Sequence, residues 1–164
     1  MAASKSQPQT QDRMKTTLPL LVFILLGGLV RAGDAANLTR ITWIDPATNL
    51  MWAKQDSRSD LEWYRANQYC SNLGLGGYSN WRLPTIDELE GIYDQTQNVN
   101  GWHIKGGIKL SGWAWSSSNG NAKGEAWFFG FDNGVRFSRP RSFRYLDRAL
   151  CVRSLETRSG AARP

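Results

Sequence analysis

The stretch NWRLPTIDELEGIYD, residues 80–94, decides how this chain folds. Pro84 has no amide hydrogen and pushes Leu83 towards an extended backbone, so Trp81, Arg82 and Leu83 read as a short extended arm leading into a corner. Thr85 and Glu88 then have the spacing of a capping box. In that device the threonine hydroxyl accepts the Glu88 amide while the Glu88 carboxylate reaches back to the Thr85 amide. Asp87, Glu88 and Glu90 lie where the positive end of a helix dipole favours acids, and Ile86, Leu89, Ile92 and Tyr93 form a stripe at helical spacing. The stretch therefore predicts an arm, a corner and a helix. Trp81 reads as a buried wedge. Arg82, a charge between two apolar neighbours, reads as a tether to a carboxylate or to backbone carbonyls. On this reading Trp81, Arg82, Pro84, Thr85 and Glu88 have structural work, and the search for a binding site moves elsewhere.

Upstream, RITWIDPATNLMWAKQ (residues 40–55) places two β-like runs on either side of an Asp-Pro-Ala-Thr-Asn turn. SRSDLEWYRANQYCSNLGLGG (residues 57–77) reads as a helix, with Ser59 and Glu62 at capping-box spacing and Trp63, Ala66, Cys70 and Leu73 on one face. Downstream, residues 96–111 are rich in Gly, Asn and Lys and read as a surface loop. Three strands are predicted next, over 113–117, 125–131 and 135–138, with Asp132-Asn133-Gly134 as a hairpin turn. RPRSFRY reads as an exposed arginine-rich loop and RALCVR as a final strand, with Leu150 and Val152 facing away from Cys151. Two helices among several mostly antiparallel strands define an α+β fold with one long loop region.

The 164 residues leave room for one domain and a targeting segment. Lys15 precedes an uncharged, mostly apolar run from Leu18 to Val30, followed by small residues, which is the layout of a secretory signal peptide cleaved after Ala32. A membrane span needs about 20 such residues. Met14 is itself an ordinary start for such a leader, so the residues before it read as an over-extended start or a long n-region. The expected organisation is a signal peptide over 1–32, a domain over 38–155 and a disordered tail over 156–164, in a secreted or periplasmic protein. The formal charge is +6, and residues 1–32, which hold Lys5, Arg13, Lys15 and Arg31 against Asp12, account for about half of it. The remaining excess and the extracytoplasmic destination argue against nucleic acid as partner. Cys70 and Cys151 permit one intrachain pairing, and an oxidising compartment favours a disulfide over two buried thiols.

The segments DPATNLMWAK, WYRANQYCSNLGLGGYSNWRLPTIDEL, WAWSSS, AWFFGFDNG and RALCVR resemble the successive motifs of the Lcl C-terminal-domain-like family, over residues 41–153. The resemblance implies a C-type-lectin-like fold, related to the formylglycine-generating-enzyme fold group. It also implies bacterial export, a Cys70–Cys151 disulfide and a role in binding rather than catalysis. For an adhesin member of the family the ligands are sulfated or other polyanionic glycans. The collagen-like Gly-X-Y repeats of that adhesin are absent here, so adhesion by that route does not carry over.

Few residues could carry catalysis. His103 is the single histidine, which excludes a multi-histidine metal centre, and a disulfide would consume the thiols it might activate. Asp94, Glu125 and Asp132 could form an acid/base pair, although Asp132 is explained by its turn. A calcium site is conceivable from Asn119, Asn121, Glu125, Asp132 and Asn133, since calcium takes about 6–8 oxygens; turn chemistry explains these residues equally well, and the reading assigns no cofactor. Aromatic and arginine residues give the stronger signal. Trp113, Trp115 and Trp127 alternate with smaller residues, and Arg136, Arg139, Arg141 and Arg144 can make bidentate contacts to sulfate or carboxylate. Those seven residues are the expected ligand-binding set. The expected function is recognition of an anionic or other extracellular glycan through the late loops. A protein-binding or diversified receptor-binding module is the alternative, and a carbohydrate-active enzyme is a third.

Overall fold

The computed structural model describes residues 32–155. The leader up to residue 31 and the tail over 156–164 lie outside the described residues. In chain order the elements are α1 (Ala32–Ile41), β1 (Thr42–Asp45), β2 (Leu50–Ala53), α2 (Trp63–Ser71), α3 (Ile86–Gly91), a 3-10 turn (Lys105–Gly107), β3 (Trp113–Asn119), β4 (Glu125–Gly130), β5 (Val135–Pro140), β6 (Asp147–Arg148) and β7 (Val152–Ser154). Strands β1, β2 and β7 form one antiparallel sheet in that order. The other sheet runs β5, β4, β3, β6, antiparallel except where β6 lies parallel to β3.

The arm and corner at residues 81–85 take their shape from three local interactions. Thr85 caps α3 with both halves of the capping box formed. The Arg82 guanidinium donates to both oxygens of Glu88 at 2.7 Å, and to the Leu83 carbonyl. Trp81 is buried, its indole donating to the Tyr78 carbonyl. Arg82 also exchanges backbone hydrogen bonds with Val152, which fastens the arm to the last strand.

Alternation along the strands produces two apolar clusters. Met51, Ala53, Trp115, Ala126 and Phe128 join α2, through Ala66 and Cys70, in the first. Trp52, Ala114 and Phe129 join α3, through Ile86, Leu89 and Ile92, in the second. The segment 149–152 passes between them, with Ala149 and Cys151 in the first cluster and Leu150 and Val152 in the second. The Cys70–Cys151 disulfide, closing 81 residues of sequence, pins α2 to that segment.

Four expectations need correction. A third helix, α1, precedes β1; its Leu38 packs on the first cluster, and the Leu38 carbonyl accepts the Thr42 hydroxyl. The capping box at Ser59 and Glu62 does not form: α2 begins at Trp63, and Glu62 precedes it without a side-chain cap. Tertiary partners take the amides there instead, because Leu61 N–H donates to the Asp147 carbonyl and Trp63 N–H to the Arg141 carbonyl. Strand β5 runs on to Pro140, which is tolerated because this strand has a neighbour on one side only. The final strand is split, since residues 149–151 leave the β3 sheet before β7 joins the other.

Candidate ligand-binding surface

The seven expected contact residues do not form one site. Trp115 is fully buried and its indole donates to the Leu61 carbonyl at 2.8 Å, so it is a core residue that no ligand reaches. Trp113 and Trp127 are half-buried on opposite faces of their sheet, since they pack on the first and second clusters respectively. This follows from registry, because successive residues of a strand point to opposite faces.

The arginines are mostly engaged from within. Arg139 lies 3.7 Å from the Phe128 ring centroid and 4.4 Å from that of Phe143, with Trp113 further out. Its guanidinium donates to Asp147 at 3.2 Å. Burial lowers the Arg139 pKa and the Asp147 charge partly restores it. The Asp147 side chain is fully buried and one of its oxygens, Oδ1, has no partner. Burial therefore pushes this carboxyl up to about 6, against the opposing pull of Arg139 and of the Tyr145 amide. Arg141 stacks on the Trp63 ring at 4.2 Å and donates to Asn119. Arg136, on the α3 side of the sheet, reaches Asp87 and Glu90 at 3.7 and 3.5 Å and passes over Trp127. Arg148 is buried against Asp60 and Ser111. Arg144, exposed in the loop after β5, has no ion-pair partner among the described residues. Arg139, Arg141 and Arg148 are thus held by separate ties within the fold, while Arg136 and Arg144 are exposed.

What the fold does expose is a strip of rings. Val135, Phe137 and Arg139 share one face of β5, and Phe137 stacks on Phe128 with centroids 5.3 Å apart. Phe143 covers Arg139 from the following loop, and Tyr145 and Leu146 continue it. Phe137, Phe143 and Tyr145 are 41%, 43% and 62% exposed, which is high for rings in a domain otherwise able to bury Trp52 and Trp115 completely. Val135 and Phe137 lie on the edge strand β5, whereas Tyr145 and Leu146 lead into β6 at the opposite edge of the sheet, where the Leu146 carbonyl accepts the Trp113 amide. Of these residues only Arg139 belongs to the expected ligand-binding set. The available signal was period-two spacing of large side chains, at 135 and 137 and again at 143 and 145, in a segment without a covering helix.

The other candidate groups are dispersed. Glu125 opens β4 and accepts from Ser138 and the Ala122 amide, whereas Asp132 lies beyond the far end of that strand, about 20 Å away at strand rise. The calcium set is split in the same way: Asn119, Asn121 and Glu125 stand at one end of β4, Asp132 and Asn133 at the other. Asn119 already accepts from Arg141 and Asn133 from the Val135 amide. Among the described residues no group of three His, Cys, Asp or Glu is placed to hold a metal ion. Asp94 accepts from the Thr96 hydroxyl and amide, which hold its carboxyl below the ordinary range, the wrong direction for a general acid. His103 sits in its loop with Nδ1 against the Gln97 carbonyl. A cavity of about 430 Å³ between α1, β2 and α2 is lined by Arg40, Lys54, Asp56, Tyr69 and Lys109. There Lys54 already donates to the Thr39 carbonyl, and Asp56 is saturated by Ser111 and the Arg58 amide.

The α+β domain, with two mostly antiparallel sheets and one disulfide tying its second helix to its closing segment, agrees with the C-type-lectin-like class that the resemblance implies. The chain belongs to the Lcl C-terminal domain family, which matches it over residues 41–153. No curated protein matches it.

Proposed function

We propose that this chain is an exported binding module that holds an extracellular or envelope glycan by ring stacking on Phe137, Phe143 and Tyr145. The observation that carries the reading is the exposure of these three rings within the short segment 137–145, two of them packed against the Arg139–Phe128 pair. Contiguous exposed apolar surface of this kind marks interaction sites in soluble proteins. Arg139 and Phe128 form a rigid floor beneath two of the rings, so little side-chain freedom is lost on binding. Because Arg136, Arg139 and Arg141 are engaged internally, stacking does more here than ion pairing, with Arg144 as the cation at hand. A protein partner is the second reading, favoured by the exposed aliphatic groups of Leu146 and of Val135, the latter on the edge strand β5.

A panel of neutral and sulfated glycans tests this, run at low and high salt, with and without chelator, for the wild type and the F143S/Y145S double variant. The reading expects capture that persists at high salt and in chelator and falls at least tenfold in the double variant. Retention by no glycan at either salt would sink the glycan reading. Capture abolished by salt and unaffected by the double substitution would transfer the site to the exposed cations.

A further inference from the structure

The second feature concerns Arg153, in β7, which is 4% exposed. Four other arginines of the described chain meet carboxylates: Arg82 with Glu88, Arg136 with Asp87 and Glu90, Arg139 with Asp147, and Arg148 with Asp60. Arg153 is buried as deeply as Arg148, yet its partners among the described residues are all neutral. Its Nε donates to Asn80 Oδ1 at 2.6 Å, Nη1 approaches Met51 Sδ at 4.0 Å, and the guanidinium lies 3.9 Å from the Tyr78 ring centroid. A thioether is a weak acceptor, and a guanidinium carries five N–H donors. Buried charges are ordinarily paired with an opposite charge, because an aromatic face and one amide replace little of the water they displace.

The side chain does not end in packed protein. It lines a cavity of about 410 Å³ bounded otherwise by Gly77, Tyr78, Ser79, Asn80 and Leu155. None of these carries a negative charge. The Ser79 hydroxyl and the Ser79 and Asn80 amides, on the exposed rim of the cavity, have no intramolecular partner among the described residues. Gly76 and Gly77 both hold positive φ, at 65° and 81°, which turns the chain tightly into this rim. We propose that this cavity binds a small oxyanion, a sulfate, phosphate or carboxylate group, with Arg153 as its counter-charge and the rim at 77–80 as its neutral donors. The site is built from residues other than the aromatic strip and stands or falls without it.

The test is an NMR titration of the ¹⁵N-labelled chain with sodium sulfate and with sodium phosphate, at constant ionic strength against chloride. Saturable shifts of the Arg153 Nε–H and of the Ser79 and Asn80 amides are expected. The isosteric N80D variant places a carboxylate against Nε without disturbing packing, and should weaken the anion at least tenfold and raise Tm in anion-free buffer. Absence of saturable shifts from the wild type overturns the proposal, as does an N80D variant that responds like the wild type.

Discussion

Trp115 and Tyr145 mark the two ends of what an aromatic residue does here. Trp115 is enclosed by the first cluster with its indole nitrogen paired, whereas Tyr145 is 62% exposed. Replacement of Trp115 by alanine should cost about 3–5 kcal/mol in urea denaturation, and the same change at Tyr145 within about 0.5 kcal/mol. The tryptophan-rich run advertised rings but not which face would be covered, since that depends on α2 and on segment 149–152 arriving from elsewhere in sequence. Arg82 was more legible, because its partner Glu88 lies one helical turn beyond the corner. Asp147 makes a second prediction. Its folded pKa of about 6 exceeds the ordinary carboxylate value, so between those two values the folded state binds more protons than the unfolded one. Stability contributed by this group therefore rises as pH falls from 7 towards 4.5, by on the order of 1–2 kcal/mol, and the D147N variant should lose that slope in urea melts. Glu88 acts in the opposite sense at lower pH. Burial raises its pKa, but the hydrogen bonds from Arg82 and Thr85 outweigh burial and the net shift is downward, so its contribution is lost as pH falls below the ordinary carboxylate range.

Helix termini show where local chemistry rules and where it yields. At α3 the Thr85–Glu88 box forms, and Thr85→Ala should cost about 1 kcal/mol in thermal or urea denaturation. At α2 an equally well-spaced pair, Ser59 and Glu62, is not used, and Ser59→Ala should change stability by less than about 0.5 kcal/mol. The difference lies outside both helices. Backbone bonds from Leu61 to Asp147 and from Trp63 to Arg141 hold the chain extended until residue 63, and no window of local sequence contains those acceptors. The strand pattern of β3 and β4 was readable from alternation and from the Asp132-Asn133-Gly134 turn. The extent of β5 was not, because its exposed face carries the same large residues as a buried one.

For the whole molecule, the α+β class, the order of elements and the disulfide were legible, and the exposure of Phe137 and Tyr145 was not. The chain builds its frame from segments far apart in sequence: β7 joins β2, Val152 joins Arg82, and Cys151 joins Cys70. Replacing both cysteines by alanine should lower stability by about 2–4 kcal/mol, because the bond closes a long loop of the unfolded chain. The strip at residues 135–146 is one part of the frame left uncovered. Hydrogen exchange of the whole chain, measured with and without a glycan retained by the panel, tests that assignment most directly. Slowed exchange centred on residues 135–146 is the result this account predicts. Protection confined to other segments, with 135–146 exchanging as in the free protein, would contradict it.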